Sequence, residues 1–254
     1  MRCDSPDVLT TRLATVRSGV VLLVTGMLAA AASAGSLSVS PIRVEIAPGQ
    51  RSVTLIVRND GDQTTLVQTQ LVAWSQADNE DRLEPTTDLL ASPPIFELVP
   101  GGVQTVRLAL RRPADADRER SYRILVSEVP GPPQPGFTGA TFALKLSLPV
   151  FVDAAMTKAV AQLVWSGAID ADGRLALTAT NTGSKHVQVR TVDVMHDGPG
   201  VDGRQAGLWY VLPGQRRSVM VAPLPGRAIA TDRVRIHADT DAGIVAADVV
   251  LDPR

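Results

Sequence analysis

Three histidines, His186, His196 and His237, are the side chains best suited to general acid–base work or to holding a metal, and all lie in the second half of the chain. They form neither an H-x-x-x-H nor an H-E-x-x-H pattern, so no turn of helix would bring two of them to one ion. The single cysteine, Cys3, excludes an intramolecular disulfide framework and a multi-cysteine metal cluster. The histidines therefore read as surface or strand-edge residues. Asp78, Glu80, Asp81 and Glu84 have the charge for a calcium loop or a glycosidase acid pair. They lack the D-x-[DN]-x-[DN]-G order, and a solvated hairpin loop is the reading they support. There is no G-x-S-x-G elbow, P-loop or Rossmann glycine fingerprint. The expectation is a protein that is not an enzyme, with no cofactor and no metal.

The elements that must carry whatever remains come from composition and periodicity. The chain has 254 residues, 25 Lys+Arg against 26 Asp+Glu, a formal net charge of −1 and 44% hydrophobic residues. Near-neutral charge argues against a surface built to neutralise nucleic-acid phosphates, and the apolar content argues against disorder. Arg2, Arg12 and Arg17 precede an apolar run, Ser18 to Ala32, that ends in Ala32-Ser33-Ala34. That order is a secretory signal peptide, residues 1–34, with cleavage after Ala34. The run is shorter than the ~20 apolar residues a membrane span needs, so no membrane insertion is expected. Asp4 and Asp7 are unusual in a leader and leave an internal methionine open as the true start. Removal of the leader takes Cys3 with it, giving a cysteine-free protein in an oxidising compartment outside the cytoplasm.

Beyond the leader, alternation dominates. Ser52–Val57, Val103–Leu108, Arg123–Val126, Leu175–Ala179, Val187–Val192 and Val234–Ala238 read as short strands between turn residues. A weak internal repeat organises them. A strand runs into Asn59-Asp-Gly61 and another into Asn181-Thr-Gly183, and a Pro-Gly turn opens an alternating strand at Pro100-Gly101 and again at Pro213-Gly214. Two copies of one topology, each of ~100 residues, give an all-β protein of two immunoglobulin-like β-sandwich domains at a fixed angle. Their expected bounds are 35–153 and 154–254.

Three segments carry a family resemblance: Val39-Ser-Pro-Ile-Arg-Val44; Ala91-Ser-Pro-Pro-Ile-Phe96 running on to Val99-Pro-Gly-Gly-Val-Gln-Thr-Val-Arg107; and Arg118-Glu-Arg-Ser-Tyr-Arg123 running on to Glu128-Val-Pro130. In this order they resemble the amino-terminal domain of PapD-like periplasmic chaperones of the chaperone–usher pathway. The ending Ser147-Leu-Pro-Val-Phe-Val152 and the cysteine-free mature chain look closer to the archaic branch that serves spore-coat-U-like subunits. The resemblance implies a partner, a pilin-like subunit that is a sandwich lacking its last strand, and a second partner, an outer-membrane usher. It also implies a periplasmic location, and leaves open whether the unbound chain self-associates.

The implied lending strand is Thr141-Phe-Ala-Leu-Lys-Leu-Ser-Leu-Pro-Val150, with Phe142, Leu144, Leu146 and Leu148 on one face. On alternation alone it reads as an ordinary core strand, and the resemblance assigns it to donation. Pro149 lacks an N–H and suits the end of a strand whose outer edge is open. The resemblance further implies two basic residues holding the subunit's terminal carboxylate. Arg43 matches the first. The family's strand-G lysine falls on Ser147, with Lys145 two residues earlier as the candidate substitute. A buried Arg–Glu–Asp network between the domains would map to Arg107, Glu119 and Asp241. The alternative function is a two-domain adhesin or structural surface module, which would act alone with that strand paired or capped. A secreted carbohydrate-active enzyme has only the loop carboxylates in its favour.

Overall fold

Alternating side chains and closely spaced turn residues give short strands, and in the computed structural model they assemble into four sheets with no helix among the described residues. The structure describes residues 37–131, 142–156, 158–196, 200–229 and 232–252. The leader and its cleavage point, like Thr141, lie outside them. The described residues fall in one compact unit.

In the first half the strands are β1 (Leu37–Ser40), β2 (Val44–Ile46), β3 (Ser52–Asn59), β4 (Thr65–Ala77), β5 (Glu80–Pro85), β6 (Leu89–Ser92), β7 (Ile95–Leu98), β8 (Val103–Leu110), β9 (Arg120–Val129) and β10 (Lys145–Val152). One sheet has the order β1-β3-β8-β6, and the facing sheet has the order β2-β10-β9-β4-β5, with β7 also paired to β4. The second half holds β11 (Leu163–Ile169), β12 (Leu175–Asn181), β13 (Val187–Met195), β14 (Gly203–Val211), β15 (Arg216–Val221), β16 (Arg233–Thr240) and β17 (Gly243–Val250). Its sheets run β11-β12-β15 and β14-β13-β16-β17. All six strands expected from alternation are present.

Each sandwich closes over its own core, because period-2 alternation turns one face of every strand inward. Leu55, Val57, Val106, Leu108, Ile124 and Val126 centre the first, and Leu175, Leu177, Val189, Val192, Ile236 and Ala238 the second. The sequence repeat is a repeated piece of structure. Asn59, fully buried, donates to the carbonyls of Gln63 and Leu98 and accepts the Gly61 N–H. Asn181, also fully buried, donates to Lys185 and Val211 and accepts the Gly183 N–H. The Gly101 N–H closes on the Asn59 carbonyl at 2.9 Å, and the Gly214 N–H on that of Asn181 at 2.9 Å. Both glycines sit at φ 72°, a conformation that a side chain would strain. A buried amide that binds the loop on one side and the incoming strand on the other is why Asn-x-Gly and Pro-Gly recur together.

A small third cluster, Trp74, Phe151, Tyr210 and Leu212, packs side chains of both sandwiches against each other. Above it the long β4–β5 hairpin reaches across. Gln76 donates to the Tyr210 carbonyl at 3.0 Å and accepts the Leu212 N–H at 3.1 Å. Asn79, in the turn, accepts the Ser218 N–H at 2.7 Å, and Asp81 meets Arg217 at 2.8 Å. The acidic loop is a hairpin, as its sequence suggests. It is not merely solvated, because Asp81 turns inward to tie the hairpin to the second sandwich.

Candidate functional site: an open strand edge beside an arginine-lined cleft

β10 pairs with β9 along its whole length, Lys145↔Ser127 through Val152↔Arg120, but with β2 only at Val150, Phe151 and Val152. Two hydrogen bonds fix which way its backbone points. The Glu128 N–H donates to the Leu144 carbonyl at 2.9 Å, and the Asp153 N–H donates to the Ile46 carbonyl at 3.0 Å. Even-numbered residues therefore turn their N–H and C=O toward β9, and odd-numbered residues turn theirs to the opposite edge. Along Lys145–Pro149 that edge meets no strand among the described residues. Pro149, with no N–H to offer, marks where the open stretch gives way to pairing with β2, as its chemistry suggests.

Leu144, Leu146 and Leu148 are half-buried against the first core, leaving part of each side chain exposed beside the open edge. The strand starts later than expected, at Lys145 rather than Thr141. Phe142 precedes it and is 91% exposed. It continues the apolar alternation without a β9 partner.

Next to the open edge lies a cleft of about 620 Å³ between the sandwiches, lined by Arg43, Arg123, Ser147, Tyr210, Arg217 and Asp241 among others. Arg43 stands just ahead of β2, with Nε 2.9 Å from Glu45 and Nη1 2.9 Å from Asp241. Burial opposes its charge, but Glu45 and Asp241 outweigh burial and hold it more firmly protonated than usual. Lys145 is exposed and is not among the cleft-lining residues. Of the other cations lining the cleft, Arg123, Arg190 and Arg217, Arg123 of β9 is the one beside Ser147 of β10. Its Nη1 lies 3.3 Å from both the hydroxyl and the carbonyl oxygen of Ser147, the guanidinium sits 4.0 Å over the Trp74 ring, and Asp81 is 3.8 Å away. Burial pushes its pKa down against the pull of Asp81, so this is a partly desolvated cation to which an anion would be welcome.

Behind Arg43 runs a buried chain of charge. Glu119, just ahead of β9, places its carboxylate oxygens 2.8 and 2.9 Å from His186 Nδ1 and accepts the His186 N–H at 3.1 Å. The His186 ring stacks on Phe151 at 3.5 Å, and its Nε2 lies 3.6 Å from Asp241 Oδ2. Burial opposes protonation of this ring, yet Asp241 and Glu119 together outweigh it and raise its pKa above the ordinary value. Asp241 is shifted the other way: burial disfavours its charge, and His186, the Gln188 N–H and Arg43 outweigh burial.

The structure links Glu119 and Asp241 through His186 and not through Arg107. Arg107 is exposed on β8 in the other sheet. Val106 and Leu108 take the core side of that strand, so alternation turns Arg107 to solvent. His186 is 2% exposed, a correction to its reading as a surface residue, whereas His196 and His237 are exposed as expected. The sequence carries no local signal for His186, whose partner Glu119 lies 67 positions away.

Residues 36–156 match the family model described as pili and flagellar-assembly chaperone, PapD N-terminal domain. That segment is similar to the amino-terminal domain of pilus chaperones. Comparison with curated protein sequences returns no match. Among solved structures, the protein is similar to a chain of the chaperone–tip adhesion subunit complex CsuC–CsuE from archaic Csu pili of Acinetobacter baumannii, at 19% identity and a TM-score of 0.64, covering 86% of this chain and 100% of that one. It is also similar to the CupB2 chaperone of Pseudomonas aeruginosa, at 21% identity and a TM-score of 0.55, covering 85% and 100%. A Salmonella enterica complex of SafA pilin with the SafB chaperone gives 21% identity and a TM-score of 0.57, covering 85% and 96%. These likenesses place the two-sandwich fold with that of pilus chaperones.

Proposed function

We propose that this protein is a periplasmic chaperone for pilin-like subunits, exported after loss of residues 1–34, with functional domains 35–153 and 154–254. It adds β10 to the open sheet of an incomplete subunit and passes that subunit to an outer-membrane usher. The observation that carries this reading is the open edge at Lys145–Pro149 flanked by Leu144, Leu146 and Leu148. Backbone pairing supplies affinity there, and the leucines fill the groove that the missing strand leaves. The subunit's terminal carboxylate is held in the cleft by Arg43 and Arg123, since a guanidinium grips a carboxylate with two charge-assisted bonds. Arg123 takes the place of the family's strand-G lysine and Lys145 is peripheral to it. The chaperone does this without catalysis, because strand exchange to the next subunit needs only a better-fitting strand.

The experiment is co-expression of the full chain with a pilin-like subunit, followed by recovery of the complex from periplasmic extract. Leu144→Glu, Arg43→Ala and Arg123→Ala should each abolish or strongly reduce recovered subunit while the chaperone itself stays folded by circular dichroism. Lys145→Ala should leave recovery near that of the parent. Normal recovery from the first three variants would contradict the proposal, and would favour a surface module that folds and acts alone.

A further inference from the structure

We propose that Asp241 is a resident carboxylate that occupies Arg43 in the empty chaperone, and that an incoming subunit carboxylate displaces it onto Nε2 of His186. This rests on the cleft being a carboxylate-binding site. Arg43 is not idle in the unbound protein, since its Nη1 already donates to Asp241 Oδ2 at 2.9 Å. Asp241 is tethered by its other oxygen, which accepts the Gln188 N–H at 2.9 Å, so it can pivot without leaving the site. Within reach of that pivot stands a buried ring nitrogen, His186 Nε2, that has no hydrogen-bond partner among the described residues. At 3.6 Å from Asp241 Oδ2 it is beyond hydrogen-bond range, and a movement of under about 1 Å would close the gap.

The proton inventory favours the exchange. Glu119 is a pure acceptor when ionised, so His186 Nδ1 must carry the hydrogen between them, and a second proton on Nε2 makes the ring a cation. The charged and titratable groups facing the ring are Glu119, Asp241, Tyr210 and, through Asp241, Arg43. With His186 charged, Arg43 and His186 face three carboxylates, Glu119, Asp241 and Glu45, the last 2.9 Å from Arg43 Nε. A carboxylate arriving on Arg43 adds a negative charge, and a protonated His186 is the group that can hold the released Asp241. His186 is thereby a positioning residue for subunit capture: it sets how readily Arg43 is vacated. Binding should take up a proton wherever the ring is partly neutral beforehand, so capture weakens as pH rises through the His186 titration.

The test uses the full chain and a synthetic peptide of alternating apolar residues ending in a free α-carboxylate, with its carboxy-terminal amide as control. Calorimetry at several pH values gives affinities, and NMR of ring-labelled histidine follows His186. The free acid should raise the pH at which His186 titrates and the amide should not, and the acid should bind more weakly at pH 8.5 than at pH 6. Asp241→Asn should bind the free acid about threefold to fivefold tighter than the parent at pH 7.5, the scale of losing one part-exposed competing ion pair. If that variant fails to fold, the NMR titration of the parent still decides. Preference for the free acid with an unmoved His186 titration and no gain in Asp241→Asn would overturn the exchange and leave the chaperone reading standing. Equal binding of acid and amide, or binding of neither, would overturn both.

Discussion

Glu119 is 3% exposed and, among the described residues, its carboxylate pairs with His186 as its charged partner, which makes His186 the residue whose loss should cost most per atom removed. His186→Ala would leave a buried carboxylate without its cation, a loss of about 3–5 kcal/mol where the ring is protonated. Arg107→Ala, on an exposed strand face, should stay within about 0.5 kcal/mol of the parent. Urea unfolding of both variants checks the contrast, and equal losses would contradict the network as drawn. The His186 pKa is raised in the folded state, so its stabilisation is complete below the ordinary histidine value of about 6.5 and is lost as pH rises through the raised value. The parent should therefore lose stability between neutral and alkaline pH, and His186→Gln should lack that part of the slope. An identical slope in the variant would assign it to other groups. Arg43 and Glu119 each lie in a short motif that carries the family resemblance. Arg123 ends one of those motifs, but its place in the cleft is set by Ser147 and Trp74 on other strands, and His186 lies in no motif, its partner Glu119 being 67 positions away.

Among the elements, the duplicated turn gives the sharpest expectation. Asn59 and Asn181 each make three hydrogen bonds from a fully buried side chain to equivalent backbone groups. Truncation to alanine strands two carbonyls and one N–H, and should cost about 2–3 kcal/mol at either position. Comparable losses from Asn59→Ala and Asn181→Ala in denaturant unfolding would show two equivalent modules, and a loss at one site only would contradict the equivalence. This much was readable beforehand, because Asn-x-Gly and Pro-Gly are local signals whose mechanism lies in the turn itself. The start of β10 was not, since alternation continues back through Phe142 while pairing with β9 begins at Lys145. Periodicity reports which face a side chain would take, and cannot report where a partner strand ends.

At the scale of the whole molecule, two sandwiches follow from strand number, spacing and the internal repeat, whereas their joining does not. Gln76 meets Tyr210 and Leu212, and Asp81 meets Arg217, across more than a hundred residues of sequence, and no local pattern marks such pairs. The joining matters because it sets Arg43 and Arg123 of the first sandwich against Tyr210 and Asp241 of the second, beside the open edge of β10. Strand donation from this edge is the core of the proposed function. It is tested most directly by residue-resolved amide hydrogen exchange of the chaperone alone and in complex with its subunit. The odd-numbered amides Lys145 and Ser147 should exchange readily in the free protein and slow by about a hundredfold or more in the complex, while Leu146 and Leu148, already bonded to β9, change little. Unchanged exchange at Lys145 and Ser147 in a stable complex would contradict strand donation by β10.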